Sequence, residues 1–483
     1  MHPEKDPELQ VTNCSTIIIG KKASKTGKVL MAHNEDTPNV VVESHLVPRI
    51  KHKKGEVITF PDGTAVIPQV PETWAYYWSQ CRAVGGEPFA DSFLNEWGVA
   101  VASNSCVYDK TEEGTFTGIG YGLRRLIAER AKSARHGVEV AAELIETFGY
   151  RSTRAYHIAD KNEAWVFQVV KGHNFAARRV GDDEVYYMPN WLSIHEIDFN
   201  DTKHEKFYWS KHIVDYAMEK GWYTPAKEGD YSDFDYAKAY QTADMFPSNM
   251  ARSDLAWKQL AGRELPYKTF SIKAERKYGV EDLKPIMRSH YVEWEEDLKN
   301  DPTMSPHRFG LCRDTTCETT IYEFNEIDEL TCMWRAFPRP CGVPFVPWYA
   351  GITSIPKGYE WAGPLSSQIS QFYVDEEEFH AHSGRAFAAF HLLENVMEFD
   401  YPAAAKIVHP EIEAMEKEFT VTKEAMDKMY KDLAKRNKKY AKAMLNDYTA
   451  AQAMKAWYWA KEAVLKIADA ENAARMHFWR SKL

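Results

Sequence analysis

At 483 residues and a formal charge of −10, the chain is long enough for a large core and lacks the basic excess that non-specific nucleic-acid binding requires. No apolar run reaches the roughly 18 residues of a membrane span, and 44% hydrophobic against 27% charged residues excludes disorder at scale. Seven cysteines, with no CxxC pair and no metal-ligand spacing, argue against a disulfide scaffold and predict free buried thiols; Cys312 and Cys317 are near enough to meet across a turn.

In chain order, Met1 to Asn13 are polar and carry no apolar h-region, so they are not an intact secretory signal and read as a leader or propeptide. Ser15 to Gly20 and Val29 to Asn34 form a predicted hairpin turning at Thr26-Gly27-Lys28. Cys14 stands at the head of its first strand, and His33-Asn34-Glu35-Asp36 ends the second. If the bond before Cys14 is cut, one residue supplies a thiol and an α-amine whose ordinary pKa, about 7.7–8.0, suits proton transfer near neutrality. Gly98 to Asn104 reads as an apolar strand, and Leu123 to Lys132 and Val138 to Phe148 as helices, the second closed by Gly149. Strands return at Ala155 to Ala159, Ala164 to Val170, Phe175 to Val180 and Glu184 to Met188, with a hairpin turn at Asp160-Lys161-Asn162.

Residues 200 to 300 look mainly helical, an insertion or lid. Thr319 to Phe324 and Thr331 to Ala336 are predicted strands, followed by a Pro-rich aromatic loop from Phe337 to Tyr349. From Gly384 onward the pattern is helical, with long amphipathic segments at 410–446 and 448–470. The expected division is a leader (1–13), a core (14–380) with a helical insertion around 200–300, and a helical C-terminal region (381–483) packed on the core. Gly118-Ile119-Gly120-Tyr121-Gly122 lacks the preceding strand and the Lys-Ser/Thr ending of a phosphate loop, and reads as a turn into a helix. His380 and His382 have no third ligand at useful spacing, so no metal is expected there.

Cys14-Ser-Thr-Ile-Ile-Ile-Gly-Lys-Lys-Ala-Ser24, followed by His33-Asn-Glu-Asp36, resembles the start of the dipeptidase A type peptidases, a family of N-terminal-nucleophile hydrolases. Segments beginning at Asn95, Ala159, Asp182 and Phe345, and the tail Leu445 to Thr449, match in order and spacing, so the resemblance covers nearly the whole chain. It implies an α+β fold: a four-layer α/β/β/α sandwich of two mainly antiparallel sheets with helices outside. It implies hydrolysis of small peptides, especially dipeptides, by a cysteine nucleophile exposed through autoprocessing, with no metal or organic cofactor. Cys14 falls on the nucleophile, Asp36 on the carboxylate that holds its α-amine, and Asn104 and Asn190 on oxyanion-stabilising amides. His33 stands where many relatives carry arginine, so support of the thiolate would depend on its protonation. Arg308, then Arg313, are the candidates for a second site arginine.

Other readings of the same residues stay open. A buried strand cysteine, a turn-capping Asp36 before Pro38 and strand-end asparagines are the plain structural alternatives. An amidase acting on a non-peptide amide, as in the related bile-salt and penicillin acylases, would use the same machinery, and an unprocessed non-catalytic binding protein would not use it at all. Beyond a small peptide substrate, no nucleic-acid or membrane partner is expected, and a homo-oligomer is compatible with the long helices. The compartment reads as cytoplasmic, or exported if a signal peptide has been removed.

Overall fold

The hairpin expected at the head of the chain forms, β1 (Ser15–Ile19) pairing antiparallel with β2 (Leu30–Asp36), which runs beyond its predicted end. The computed structural model describes residues 14–38, 40–60, 63–83, 89–106, 110, 117–242, 245–290, 306–307, 310–360 and 384–480, so Arg308, His380 and His382 lie outside the described residues. β3 (Val40–Val47) is followed by two short ribbons, in which β4 (Ile50–Lys51) pairs with β7 (Glu72–Thr73) and β5 (Val57–Ile58) with β6 (Ile67–Pro68). Then come β8 (Tyr76–Ala83), β9 (Phe89–Asn95), β10 (Ala100–Ser105), α1 (Leu123–Arg130) and α2 (Ala134–Phe148). β11 (Arg154–Ala159), β12 (Ala164–Val169), β13 (Phe175–Val180) and β14 (Glu184–Met188) lie close to their predicted bounds. The next stretch carries β15 (Phe207–Trp209), α3 (Ile213–Glu219), α4 (Tyr236–Tyr240), α5 (Pro247–Ala261), β16 (Ser271–Lys273) and α6 (Val280–Met287). β17 (Thr316–Glu323), β18 (Cys332–Ala336), β19 (Val346–Tyr349), α7 (Ala386–Met397), α8 (Tyr401–Ala434) and α9 (Lys438–Arg480) complete the chain.

Two antiparallel sheets result. One has seven strands in the order β16-β14-β1-β2-β17-β18-β19, the other eight in the order β15-β13-β12-β11-β10-β9-β8-β3. Alternation decides what each face meets. On the eight-stranded sheet Ala100, Ala102, Ala155, Ala159, Ala164 and Val166 share a core with the other sheet, while Val101, Tyr156, Ile158, Trp165 and Phe167 pack in a separate core with α1 and α2. The outer face of the seven-stranded sheet is covered by α5 against β14, α6 against β2 and β17, and α8 and α9 against β19. The layers are therefore helix, sheet, sheet, helix, as expected.

A buried ion pair links the sheets. Arg335 on β18 donates from Nε to Glu318 Oε1 on β17 at 2.9 Å and from Nη2 at 2.5 Å, and reaches Ser44 Oγ on β3 at 2.9 Å and Ser79 Oγ on β8 at 3.2 Å. Both ionic side chains are at most 1% exposed, and the guanidinium also lies over the Tyr77 and Trp348 rings.

Several expectations are corrected. Strands β3, β8 and β9 fall where no element is predicted, and β19 lies within the segment expected to be a Pro-rich aromatic loop. α2 begins at Ala134, ahead of the predicted Val138, because Ser133 Oγ accepts from His136 N at 3.1 Å; Gly149, at φ +75°, ends it as expected. Gly122 is the residue before α1, so the glycine run is a turn into a helix. The C-terminal break falls between Ala434 and Lys438, not near Asp447. Cys317 meets Cys81, at an Sγ–Sγ distance of 3.9 Å, while Cys312 faces Cys341; all seven cysteines are free.

Candidate active site

Ser15 pairs with Asn34 and Thr16 with His33, and one further step of that register sets Cys14 opposite Glu35. Alternation then sorts the hairpin's polar residues. Cys14, Thr16, His33 and Glu35 face the eight-stranded sheet; Ser15, Asn34 and Asp36 face the helices.

On the inner side the contacts run as a closed circuit. Cys14, only 2% exposed, has its Sγ 3.5 Å from Glu35 Oε2, which lies 3.4 Å from His33 Nε2. His33 Nδ1 is 2.9 Å from Thr16 Oγ1, and Thr16 donates to Asn104 Oδ1 at 2.7 Å. Asn104 Nδ2 donates to the carbonyls of Met188 and Pro189 at 3.3 and 3.0 Å, at the turn that presents Asn190. Asn190 donates to Ser105 O at 2.9 Å and accepts from Arg252 Nη2 at 3.0 Å, and Arg252 Nη1 donates to Cys14 O at 2.7 Å.

This connectivity assigns the protons. Both Asn104 amide hydrogens go to carbonyls, so Oδ1 is the acceptor and Thr16 the donor. With its hydrogen committed, Thr16 can only accept from His33 Nδ1–H. Nε2 is thereby left facing Glu35 Oε2, the atom to which the Cys14 thiol donates.

On the helical side, Asp36 is fully buried; Oδ1 accepts from Thr316 Oγ1 at 2.6 Å, and Oδ2 has no hydrogen-bond partner among the described residues. Burial pushes its pKa up to about 7, although the positive charges of Arg313 and Arg252 and the Thr316 hydrogen bond oppose the shift. The folded chain thus keeps a proton on Asp36 that the unfolded chain releases near pH 3.8, so stability falls as pH rises from about 3.8 to about 7 and is level above that. Asp36→Asn is expected to remove that fall, worth roughly 4 kcal/mol. Thermal unfolding of the intact chain from acid to mildly alkaline pH checks it; an unchanged slope in the variant refutes the assignment.

The structure therefore brings Cys14, His33, Asn104 and Asn190 into one cluster and sets Asp36 on the opposite face of β2. Arg313, 1% exposed, acts on Asp36 through its charge, whereas the arginine hydrogen-bonded to the cluster is Arg252 on α5, which the sequence reading missed. Nothing local to Arg252 distinguishes it, since it sits in a helix without a motif. Glu35 was also overlooked, although strand alternation from Cys14 and His33 was enough to find it.

Comparisons with known proteins bear on the whole arrangement. The chain is 23% identical to the "Probable dipeptidase" of Latilactobacillus sakei over 368 residues, covering 73% of this chain and 77% of that protein. It is 27% identical to "Probable dipeptidase B" of Lactococcus lactis subsp. lactis (strain IL1403) over 383 residues, covering 72% and 76%. Among solved structures, penicillin V acylase from Agrobacterium tumefaciens matches 70% of this chain and 85% of its own at 10% identity and a TM-score of 0.31. The model of peptidase family C69 matches residues 13–390, a span that holds Cys14, both sheets and every residue of the circuit, and the chain belongs to that family.

Proposed function

We propose that this protein is a cysteine dipeptidase whose nucleophile is Cys14, exposed as an N-terminal residue by cleavage of the bond that precedes it. The observation that carries the reading is the position of Cys14 Sγ, 3.5 Å from Glu35 Oε2 inside a polar circuit, in a chain that belongs to a peptidase family. The dipeptidase names of the two relatives support the substrate class.

Cleavage replaces a neutral amide nitrogen with an amine. That amine takes the Sγ proton, Sγ attacks the substrate carbonyl, and the leaving amine receives the proton; water then hydrolyses the acyl-enzyme with the same amine as base. Asp36 Oδ2 is the proposed acceptor for the ammonium, whose charge would draw the buried carboxyl back to its ionised form. Asn190 keeps one amide hydrogen without a partner among the described residues and is the proposed oxyanion donor. Asn104, with both amide hydrogens on carbonyls, acts as a positioning residue that fixes the turn carrying Asn190. Arg252 holds the Cys14 carbonyl and Asn190 together, and His33 with Glu35 governs the thiol proton.

N-terminal sequencing of active material, with a panel of dipeptides set against acyl amides, tests the proposal. The expected result is an active species that begins at Cys14 and hydrolyses dipeptides. Activity confined to molecules that retain residues 1–13, or to acyl amides, overturns it.

A further inference from the structure

We propose that His290, His307, Cys312 and Cys341 form a binding site for a structural zinc ion, on the helical side of the seven-stranded sheet and separate from the nucleophile's circuit. One ligand atom from each of the four lies within 4.8 Å of all the others, and all four residues are buried. Cys341 is the hub: its sulfur is hydrogen-bonded to Cys312, His290 and His307, the last at an Nε2–Sγ distance of 3.2 Å.

Two imidazoles and two thiols are the donor set of a closed tetrahedral zinc site, and zinc bond lengths of about 2.0–2.3 Å give tetrahedron edges of roughly 3.3–3.8 Å, which the cluster reaches by small side-chain movements. The surroundings fit the same chemistry. His307 Nδ1 lies 2.8 Å from Glu398 Oε1; in the tautomer that donates Nδ1–H to this carboxylate, the Nε2 lone pair is turned toward the sulfurs. Arg339, a donor only, pairs with Glu398 and anchors the carboxylate; its Nη1, 2.9 Å from that Nδ1, must give way when Nδ1 carries the proton. The rings of His290 and His307 meet edge to face at 4.7 Å, each also against Tyr401. Access exists, because His290 and Cys341 line a cavity of about 860 Å³ that also borders Tyr401 and His409. Binding would release the two thiol protons to solvent and leave a neutral site, with no redox step.

The placement gives the ion work to do. His290 follows α6, His307 and Cys312 precede β17, and Cys341 lies between β18 and β19, so one ion ties three segments. Within the middle one, Leu311 O accepts from Asn34 Nδ2 at 2.6 Å and Arg313 faces Asp36, which makes the metal a clamp on the back of β2.

Metal analysis of the full chain, purified under reducing conditions and incubated with zinc sulfate, is the test. The expected content is about one zinc per chain, falling at least about fivefold in Cys312→Ser and Cys341→Ser and unchanged in Cys14→Ala and Cys81→Ser. Because the first two variants can misfold, cobalt exchange into the unaltered chain gives a second readout: the intense visible bands and sulfur-to-metal charge transfer of a tetrahedral thiolate site. A reduced chain that takes up less than about a tenth of an equivalent overturns the proposal, as does metal lost from Cys14→Ala but kept by Cys312→Ser, or a Cys312–Cys341 disulfide in place of metal. None of these outcomes depends on peptidase activity.

Discussion

Cys14→Ala is expected to abolish dipeptide hydrolysis, lowering kcat/KM by about 10³-fold or more, because the substitution removes the only atom proposed to form the acyl-enzyme. The fold should survive. Cys14 heads β1, a strand paired on both sides, alanine fills most of its volume, and Arg252 continues to hold the residue's backbone carbonyl. Intact mass separates the steps: if the thiol also cuts its own preceding bond, the variant keeps residues 1–13, whereas an external protease still removes them. Cys14→Ser sharpens the reading, since a hydroxyl loses far less readily the proton that a thiol gives up, and only residual turnover should remain. Peptide hydrolysis by Cys14→Ala at the level of the unaltered chain ends the proposal.

The second large effect concerns the fold. Arg335→Met leaves Glu318 buried at 1% exposure between the sheets without its cation, and such an uncompensated charge costs about 3–5 kcal/mol. Ser44 and Ser79 lose their donor in the same step, so both sheets feel the change. Chemical denaturation should show a lowered midpoint, and adding Glu318→Gln should restore part of it by removing the stranded charge. An unfolding free energy within about 0.5 kcal/mol of the unaltered chain's would mean that the pair is replaceable by packing.

The same two regions explain what could be read from the amino acids alone. β1, β2 and β11 to β14 were legible because turn residues bracket them tightly: Asp160 Oδ1 accepts from Asn162 N at 2.7 Å, the Asx turn expected of its triplet. β3 and β8 were not, because both of their faces are covered; Val40-Val41-Val42 and Tyr76-Tyr77-Trp78 are runs without the alternation that marks a half-exposed strand. In the candidate site, Cys14, His33, Asp36, Asn104 and Asn190 cling to strand ends inside short motifs, where chain position and spatial position nearly coincide. Arg252 arrives from a helix far along the chain, and its role rests on packing that no spacing encodes. The histidines and cysteines of the proposed zinc site are likewise drawn from three separate segments, so that no ligand spacing marks them in the sequence.

β2 carries its chemistry in two interleaved sets, His33 and Glu35 toward the other sheet and Asn34 and Asp36 toward the helices. A single-residue deletion within it would exchange the sets and send each group into the wrong surroundings, whereas a deletion of two preserves them. Evolutionary drift along this strand is thereby confined to even steps, and a centre of this kind transplanted into another antiparallel scaffold would depend on matching parity before matching sequence.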